Sequence, residues 1–365
     1  MALLSHHADM VGSLLRPPQL AAARQEWRSG ERSAESLREI EDAAIVEAVR
    51  ATEATGLPVA TDGEFRRDWW HLDFLAELGG IGTEHRERPK DFSGAGESPP
   101  IPVVVGKVHH DRPIFVDAYR FLHDACRTAT PKITIPGPGM ANLMGGPQAI
   151  SDDVYPDPDA FWDDLVNAYR EEVAQLYAAG CRYLQMDDVG FAYLCDPEFR
   201  ARMSARGEDP DELVARYRDA MNAVIADRPD DLIVSTHMCR GNFRSRWVAT
   251  GGYEPIAEPV FGGLDVDAFF LEFDSDRAGG FEPLRFVPPG RTAVLGLVTS
   301  KTPELEDPAA LIARIEEASA HLPLEQLAVS PQCGFSSSHH GNELTEDDQW
   351  AKLRLVVDVA ATVWT

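Results

Sequence analysis

The sequence predicts an α/β protein of the (β/α)8 TIM-barrel type, with an insertion after its second strand. Three observations carry that expectation: eight short apolar runs with strand character, helical segments after most of them, and a reactive or permissive residue at the end of each run. In a barrel those ends form one rim, so residues hundreds of positions apart would meet around one axis. A length of 365 residues suits a single barrel over 1–365.

The elements follow in order. Asp9–Ser13 reads as a short strand, and Arg16-Pro17-Pro18 breaks the chain after it. A helix over 33–55 opens with Ser33 as its cap, carries Leu37, Ile40, Ala44, Ile45, Ala48 and Val49 at helical spacing, and stops at Gly56. The second strand, 57–64, ends in Asp62 and Glu64 and leads to the aromatic Trp69-Trp70. Residues 80–131 then interrupt the rhythm. Within them 85–100 is polar and rich in Pro and Gly, 101–108 reads as an edge strand or hairpin arm, and 115–126 as a helix, so the segment is predicted to be an insertion over one end of the body. From the third strand, 132–139, the alternation is regular. A helix over 159–180, strand 183–188, a helix over 210–226, and strands 232–239, 267–272, 293–300 and 327–333 follow, with helices at 307–320 and 345–363.

Composition narrows the function classes. A formal net charge of −26 repels polyanions, which argues against nucleic acid and anionic membrane surfaces as partners. No apolar run is long enough to cross a bilayer, and Met1–Leu4 passes at once into Ser5-His6-His7, unlike a secretory leader, so a cytoplasmic location is expected. Five scattered cysteines, an odd number, fit free thiols or metal ligands better than a disulfide framework. Small molecules are the expected partners, and homo-oligomerisation is left open.

The chemistry concentrates in Ile233–Asn242. His237 and Cys239 stand two residues apart at a strand end, so a period of two points them to one side. Cys333 ends another strand 94 residues beyond Cys239. One His and two Cys with a fourth position open is the ligand count of a catalytic zinc site, against the plainer reading of a packed cysteine beside a hydrogen-bonded histidine.

The segments Asp62-Gly63-Glu64-Phe65, Gln185-Met186-Asp187, His237-Met238-Cys239, Leu271-Glu272 with Arg277, and Pro331-Gln332-Cys333-Gly334 resemble, in that order, the catalytic domain of cobalamin-independent methionine synthase. The resemblance runs over nearly the whole chain and is nearest the short, stand-alone members. It implies zinc-dependent methyl transfer to a thiol on a barrel, homocysteine being the acceptor. His237, Cys239 and Cys333 are then the zinc ligands, with Glu272 as the carboxylate that completes or releases the coordination sphere. Glu64 and Asp187 would hold the amino group of homocysteine, and Ser13 its carboxylate. Two departures accompany it. Full-length members carry an additional N-terminal half that helps hold the folate, and the family's His-Ser-Pro after strand seven is here Ser300-Lys301-Thr302-Pro303 with Thr299 before it. The methyl donor, methyltetrahydrofolate or another, therefore stays open.

A thiol is mostly protonated at neutral pH, and Zn2+ strips that proton while leaving a nucleophile. Two thiolates and a neutral imidazole leave the metal formally neutral, so the acceptor sulfur keeps its electron density, and a hard carboxylate such as Glu272 yields to it readily. A poor leaving group needs an acid. Asp62, Asp188 and the 299–302 loop are the candidates, and Lys301 is counted with Glu272 and Asp187 as catalytic, against its reading as a solvent lysine. The alternative for Glu64 and Asp187 is ion pairing with arginines such as Arg66. Trp69, Trp70 and Phe191 are either a substrate wall or core aromatics. Two other functions compete: a zinc thiol alkyltransferase with a different electrophile, like the epoxide–coenzyme M enzymes, and a zinc-free barrel like uroporphyrinogen decarboxylase. The amino clamp speaks against the first, and the joint His237, Cys239 and Cys333 against the second.

Overall fold

The computed structural model describes residues 4–85 and 100–364. Most of the polar stretch expected over 85–100 lies outside the described residues. Helices α1 (Pro18–Arg28) and α2 (Ala34–Ala54) precede the two-residue strand β1 (Val59–Ala60). Helix α3 (Leu72–Leu75) leads to the antiparallel arms β2 (Gly79–Glu84) and β3 (Ile101–His109), and α4 (Val116–Ala125) follows. Beyond them come β4 (Thr130–Pro131), β5 (Ile133–Pro136), α5 (Pro158–Ala178), β6 (Tyr183–Asp187), α6 (Val189–Tyr193), α7 (Pro197–Ala205) and α8 (Pro210–Ile225). The chain ends with β7 (Ile233–Met238), α9 (Glu254–Phe261), β8 (Ala268–Glu272), β9 (Thr292–Val298), α10 (Pro308–Ser319), β10 (Leu327–Pro331) and α11 (Glu346–Val363).

Local signals account for the helix starts. Asp157, Asp196, Asp209 and Asp307 each precede a proline at the first helical position, and each carboxylate accepts a backbone N–H one turn inside. Thr345 and Asp348 form a reciprocal capping box on α11. Helices α1, α3, α6, α7 and α9 were not expected. The first buries only Leu20, Ala23 and Arg24, too few for a periodic signal, and α9 carries Pro259 inside it.

Strands β10, β9, β8, β7, β6 and β5 form one parallel sheet in that order, each beside its neighbour in sequence. Side chains alternate between its faces. Tyr183, Ala268, Phe270, Val294 and Ala328 pack with Val11 and Val59 on one, while Leu184, Met186, Phe269, Leu271 and Leu295 pack under the helices on the other. Beyond β5, Lys132 N–H donates to Ala60 O, and β1 pairs in parallel with β4. At the opposite edge Ala8 bridges Val329 of β10 in parallel. The segment 8–14 also reaches the β1 side, where Leu14 N–H donates to Gly63 O at 3.0 Å.

The first expected strand is thus only a bridge at Ala8, and the second is two residues long. Side chains explain the first difference. Met10 O accepts from Lys132, Val11 O from Gln185 at 2.8 Å and Gly12 O from Thr61 at 2.6 Å, so three successive carbonyls are satisfied without a ladder. Strand β1 stops because Gly63 and Glu64 both take left-handed backbone, φ 66° and 59°.

Candidate metal centre

Asp187 and His237 face each other in register at the C-terminal ends of β6 and β7, and Cys239 follows one residue past β7. Cys333 lies just past β10. The nearest ligand atoms of His237, Cys239 and Cys333 all lie within 4.8 Å of one another, and all three residues are buried. The two sulfurs are 3.6 Å apart and share an S–H contact. Two sulfurs bound tetrahedrally at about 2.3 Å from a zinc ion would stand about 3.8 Å apart, against about 2.0 Å in a disulfide. The donor set therefore fits a zinc ion.

The charges in this cluster are already shared. Its hydrogen bond to Cys239, helped by the His237 imidazole and opposed by burial, holds Cys333 well below the ordinary thiol range. The same hydrogen bond, with burial, pushes Cys239 up. Burial pulls His237 down, yet hydrogen bonds to Asp187 and Cys333 outweigh it and raise the group to about 10. One sulfur anion balanced by a nearby proton is an arrangement in which a metal cation replaces the proton.

A cavity open to solvent has His237, Cys239 and Cys333 on its wall together with Ser13, Glu64 and Asp187. Six of the seven residues predicted as ligands or acceptor contacts, all but Glu272, thus line one cavity. Asp187 Oδ1 lies 3.5 Å from His237 Nδ1 and accepts from Gln185 at 2.7 Å. Glu64 accepts from Thr134 at 2.9 Å and stands 3.9 Å from Arg67, while its Oε2 is buried without a hydrogen-bond partner among the described residues. The arginine beside it is thus Arg67, since Arg66 pairs with Glu41 and Asp42. Ser13 Oγ accepts from Ser336 N–H at 3.3 Å. A side chain at Gly334 would put its Cβ 2.0 Å from that oxygen, so glycine lets the Cys333 loop approach Ser13.

Burial drives the Glu64 carboxyl up to about 7, against Arg67 and with Asp187 and Asp62 adding to the rise. A raised carboxyl costs stability once the pH exceeds its unfolded value near 4.5, and the cost is complete above about 7. Glu64→Gln is therefore expected to stabilise the fold at pH 8 by on the order of 2 kcal/mol and to change little at pH 4. Urea unfolding at both pH values checks it. Equal effects at the two would reject this reading of the carboxyl.

Of the remaining predicted residues only Trp70 also lines the cavity. Glu272 is fully buried, accepts from Arg240 N–H at 2.7 Å, pairs with Arg277, and has Lys301 Nζ at 3.8 Å. Asp188 caps α6 through Gly190 N–H at 2.9 Å, and burial raises it to about 7. A Cβ at Gly137 or Gly139 would approach its Oδ2 to 2.5 or 2.7 Å, so this carboxylate fills the turn after β5. Asp62 accepts from Glu64 N–H within its own turn. Ser300 N–H donates to Gln332 Oε1 at 2.7 Å and its hydroxyl to Gly334 O at 3.0 Å, fixing the loop that carries Cys333. Trp69 and Trp70 line a second compartment of about 510 Å³ that shares Trp70, Val189, Tyr193, Asn242 and Ser337 with the first, whereas Phe191 is fully buried against Tyr217. Tyr193 and Asn242 were missed, being a helix tyrosine and a loop amide with no spacing signal. Asn242 donates to Gly334 O at 2.9 Å and so holds the Cys239 and Cys333 loops together.

The profile of the cobalamin-independent synthase catalytic domain matches residues 8–362. An uncharacterised Bacillus subtilis protein, YxjH, is 45% identical over 358 residues, covering 98% of this chain and 94% of its own. The crystal structure of a Listeria monocytogenes protein provisionally named a vitamin-B12-independent methionine synthase superposes with a TM-score of 0.79, 36% identity and full coverage of both chains. A B12-independent methionine synthase from Shewanella sp. W3-18-1, solved with selenomethionine, shares the fold at TM-score 0.74 and 20% identity, over 99% of this chain and 98% of its own.

Proposed function

The chain belongs to the cobalamin-independent methionine synthase family, in its catalytic domain, and from that premise we propose a zinc-dependent methyltransferase that moves a methyl group onto the thiol of homocysteine. The observation that carries the proposal is the His237, Cys239 and Cys333 cluster on the wall of a cavity that also presents two carboxylates. The scaffold is read as a closed (β/α)8 barrel over 1–365 with 80–131 inserted. The six-stranded sheet, the β1 pairing beside β5, and the contacts of segment 8–14 with both edges support that reading.

His237, Cys239 and Cys333 would hold the zinc ion, which when bound supplies the charge that keeps the acceptor sulfur deprotonated at neutral pH. Glu64 and Asp187 receive the acceptor's ammonium group between them, and Ser13 takes its carboxylate. The sulfur forms its new bond to the methyl carbon as the bond from that carbon to the donor heteroatom breaks. Glu272 is the carboxylate assigned to the fourth ligand position, and its charge is balanced by Arg277 and, at 3.8 Å, Lys301. Lys301 is the proton source assigned to the leaving group. Methyltetrahydrofolate or another methyl donor would enter through the compartment walled by Trp69 and Trp70.

Protein purified without added metal is expected to carry close to one zinc per chain, and Cys239→Ser less than about a tenth of that. Elemental analysis alongside a homocysteine methylation assay decides. Wild-type protein with substoichiometric zinc, or turnover undiminished in the zinc-poor variant, would remove the proposal.

A further inference from the structure

A line of hydrogen bonds runs from inside the sheet to the cavity. Lys132 is wholly buried, and its ammonium contacts Asp9 Oδ1 at 2.8 Å, Met10 O, and Gln185 Oε1 at 3.0 Å. An ammonium carries three protons and accepts nothing, so three acceptors satisfy it, and the Gln185 atom it faces must be the carbonyl oxygen. That choice fixes the whole amide. Its NH2 group turns to Val11 O at 2.8 Å and to Asp187 Oδ1 at 2.7 Å. Asp187 therefore has Oδ1 engaged by a neutral donor and standing 3.5 Å from His237 Nδ1, while Oδ2 takes no part in either contact. Glu64, the other carboxylate on that wall, is built alike, with Oε1 on Thr134 and Oε2 unpartnered.

We infer that Lys132 is a positioning residue for the acceptor's amino group: through the Gln185 amide it holds Asp187 with one oxygen free to meet a cation, and so sets the preference for an amino-thiol over a thiol lacking the amine. The inference rests on the reading of Glu64 and Asp187 as the ammonium clamp. Without the ammonium, nothing opposes a half-turn of the Gln185 amide except Val11 O and Asp187 themselves. A turned amide would put two oxygens about 2.7 Å apart, and the carboxylate would rotate away from it. The side chains involved are covered by Tyr183 and Phe270, whose rings lie 5.1 and 4.4 Å from Lys132 Nζ, so no solvent replaces the missing donor.

The test is calorimetric titration of the zinc-loaded full chain with L-homocysteine and with 4-mercaptobutanoate, the same thiol acid without the amine. Two variants are used. Gln185→Leu breaks the line at its middle, and Lys132→Met with Asp9→Asn removes both buried charges together, so neither is stranded. Each is expected to keep one zinc per chain, to hold the Kd for 4-mercaptobutanoate within about threefold, and to lose at least tenfold in preference for homocysteine. In an Asp187→Asn background the double change is expected to add less than twofold, because the group it positions has gone. Preference intact in both variants, or equal weakening of both thiols, overturns the inference and leaves the clamp reading standing. A wild-type enzyme that binds the two thiols equally overturns the clamp reading, and this inference with it.

Discussion

Cys333→Ser is expected to lose its metal and at least about 10³-fold in methyl transfer while the chain stays folded. Serine keeps the shape of the side chain but offers a hard, protonated oxygen where a soft thiolate is needed. The loop it stands on is held independently, by Ser300 and Asn242 on Gly334 O and by Ser336 N–H on Ser13. Cys333 itself is one small buried side chain at the end of β10, so the cost to stability is about 1 kcal/mol. Zinc stoichiometry, circular dichroism and turnover with homocysteine, measured on one preparation, separate loss of site from loss of fold. A zinc-replete, fully active Cys333→Ser protein would leave the proposed chemistry without a centre.

Asp9→Ala is expected to be the most damaging single change to the fold, at about 3–5 kcal/mol. Its carboxylate receives Lys132, Tyr183 at 2.8 Å, His6 at 2.8 Å and Met10 N–H at 2.7 Å, all but the half-buried His6 in the sheet interior. Truncation leaves an ammonium buried without its counter-ion. Burial raises the Asp9 carboxyl, but Lys132 and His6 overcome that and hold it well below the carboxylate range, whereas burial pulls Lys132 down in spite of Asp9. The two directions agree with a pair that is costly to break and of small net worth when intact. Lys132→Met added to Asp9→Ala should recover most of the loss. Because the Asp9 value is depressed, its contribution is whole above the unfolded value near 4 and fades as the pH falls below it. Urea unfolding at pH 7 and along the acid limb reads both effects. A loss under 1 kcal/mol at pH 7 would mean the interior ion pair is dispensable.

Much of the site could be read from spacing. A period of two put His237 and Cys239 on one side, and the rule that strand ends share a rim brought in Cys333, Glu64, Asp187 and Ser13, which do surround one cavity. Other parts have no local signature. Lys132, at the head of an apolar strand, reads as a surface residue until Asp9 and Gln185 are seen on the same interior face. Glu272 follows the pattern of a rim carboxylate, yet Arg240 and Arg277 come from loops that sequence does not place, and they occupy both its oxygens. The left-handed turn at Gly63 and Glu64 shortens β1, and only its glycine hinted at this. The non-glycine residue in that conformation, at a cost of about 1 kcal/mol, is Glu64, the one proposed to meet the acceptor's amino group, and strain of this kind is commonly stored at functional sites.

The stitching of residues 10–12 by side chains has a consequence for how the molecule comes apart. Where backbone rungs are replaced by single lysine, glutamine and threonine donors, cooperativity along the edge is lost, and each stitch opens alone. The bridge at the head of this segment joins Ala8 to Val329, positions more than three hundred residues apart, and a contact of that sequence separation is expected to form late in folding. Ser13 sits at the far end of the segment, so, under the proposed function, the hold on an acceptor carboxylate would slacken in excursions that leave β7 and β10 untouched.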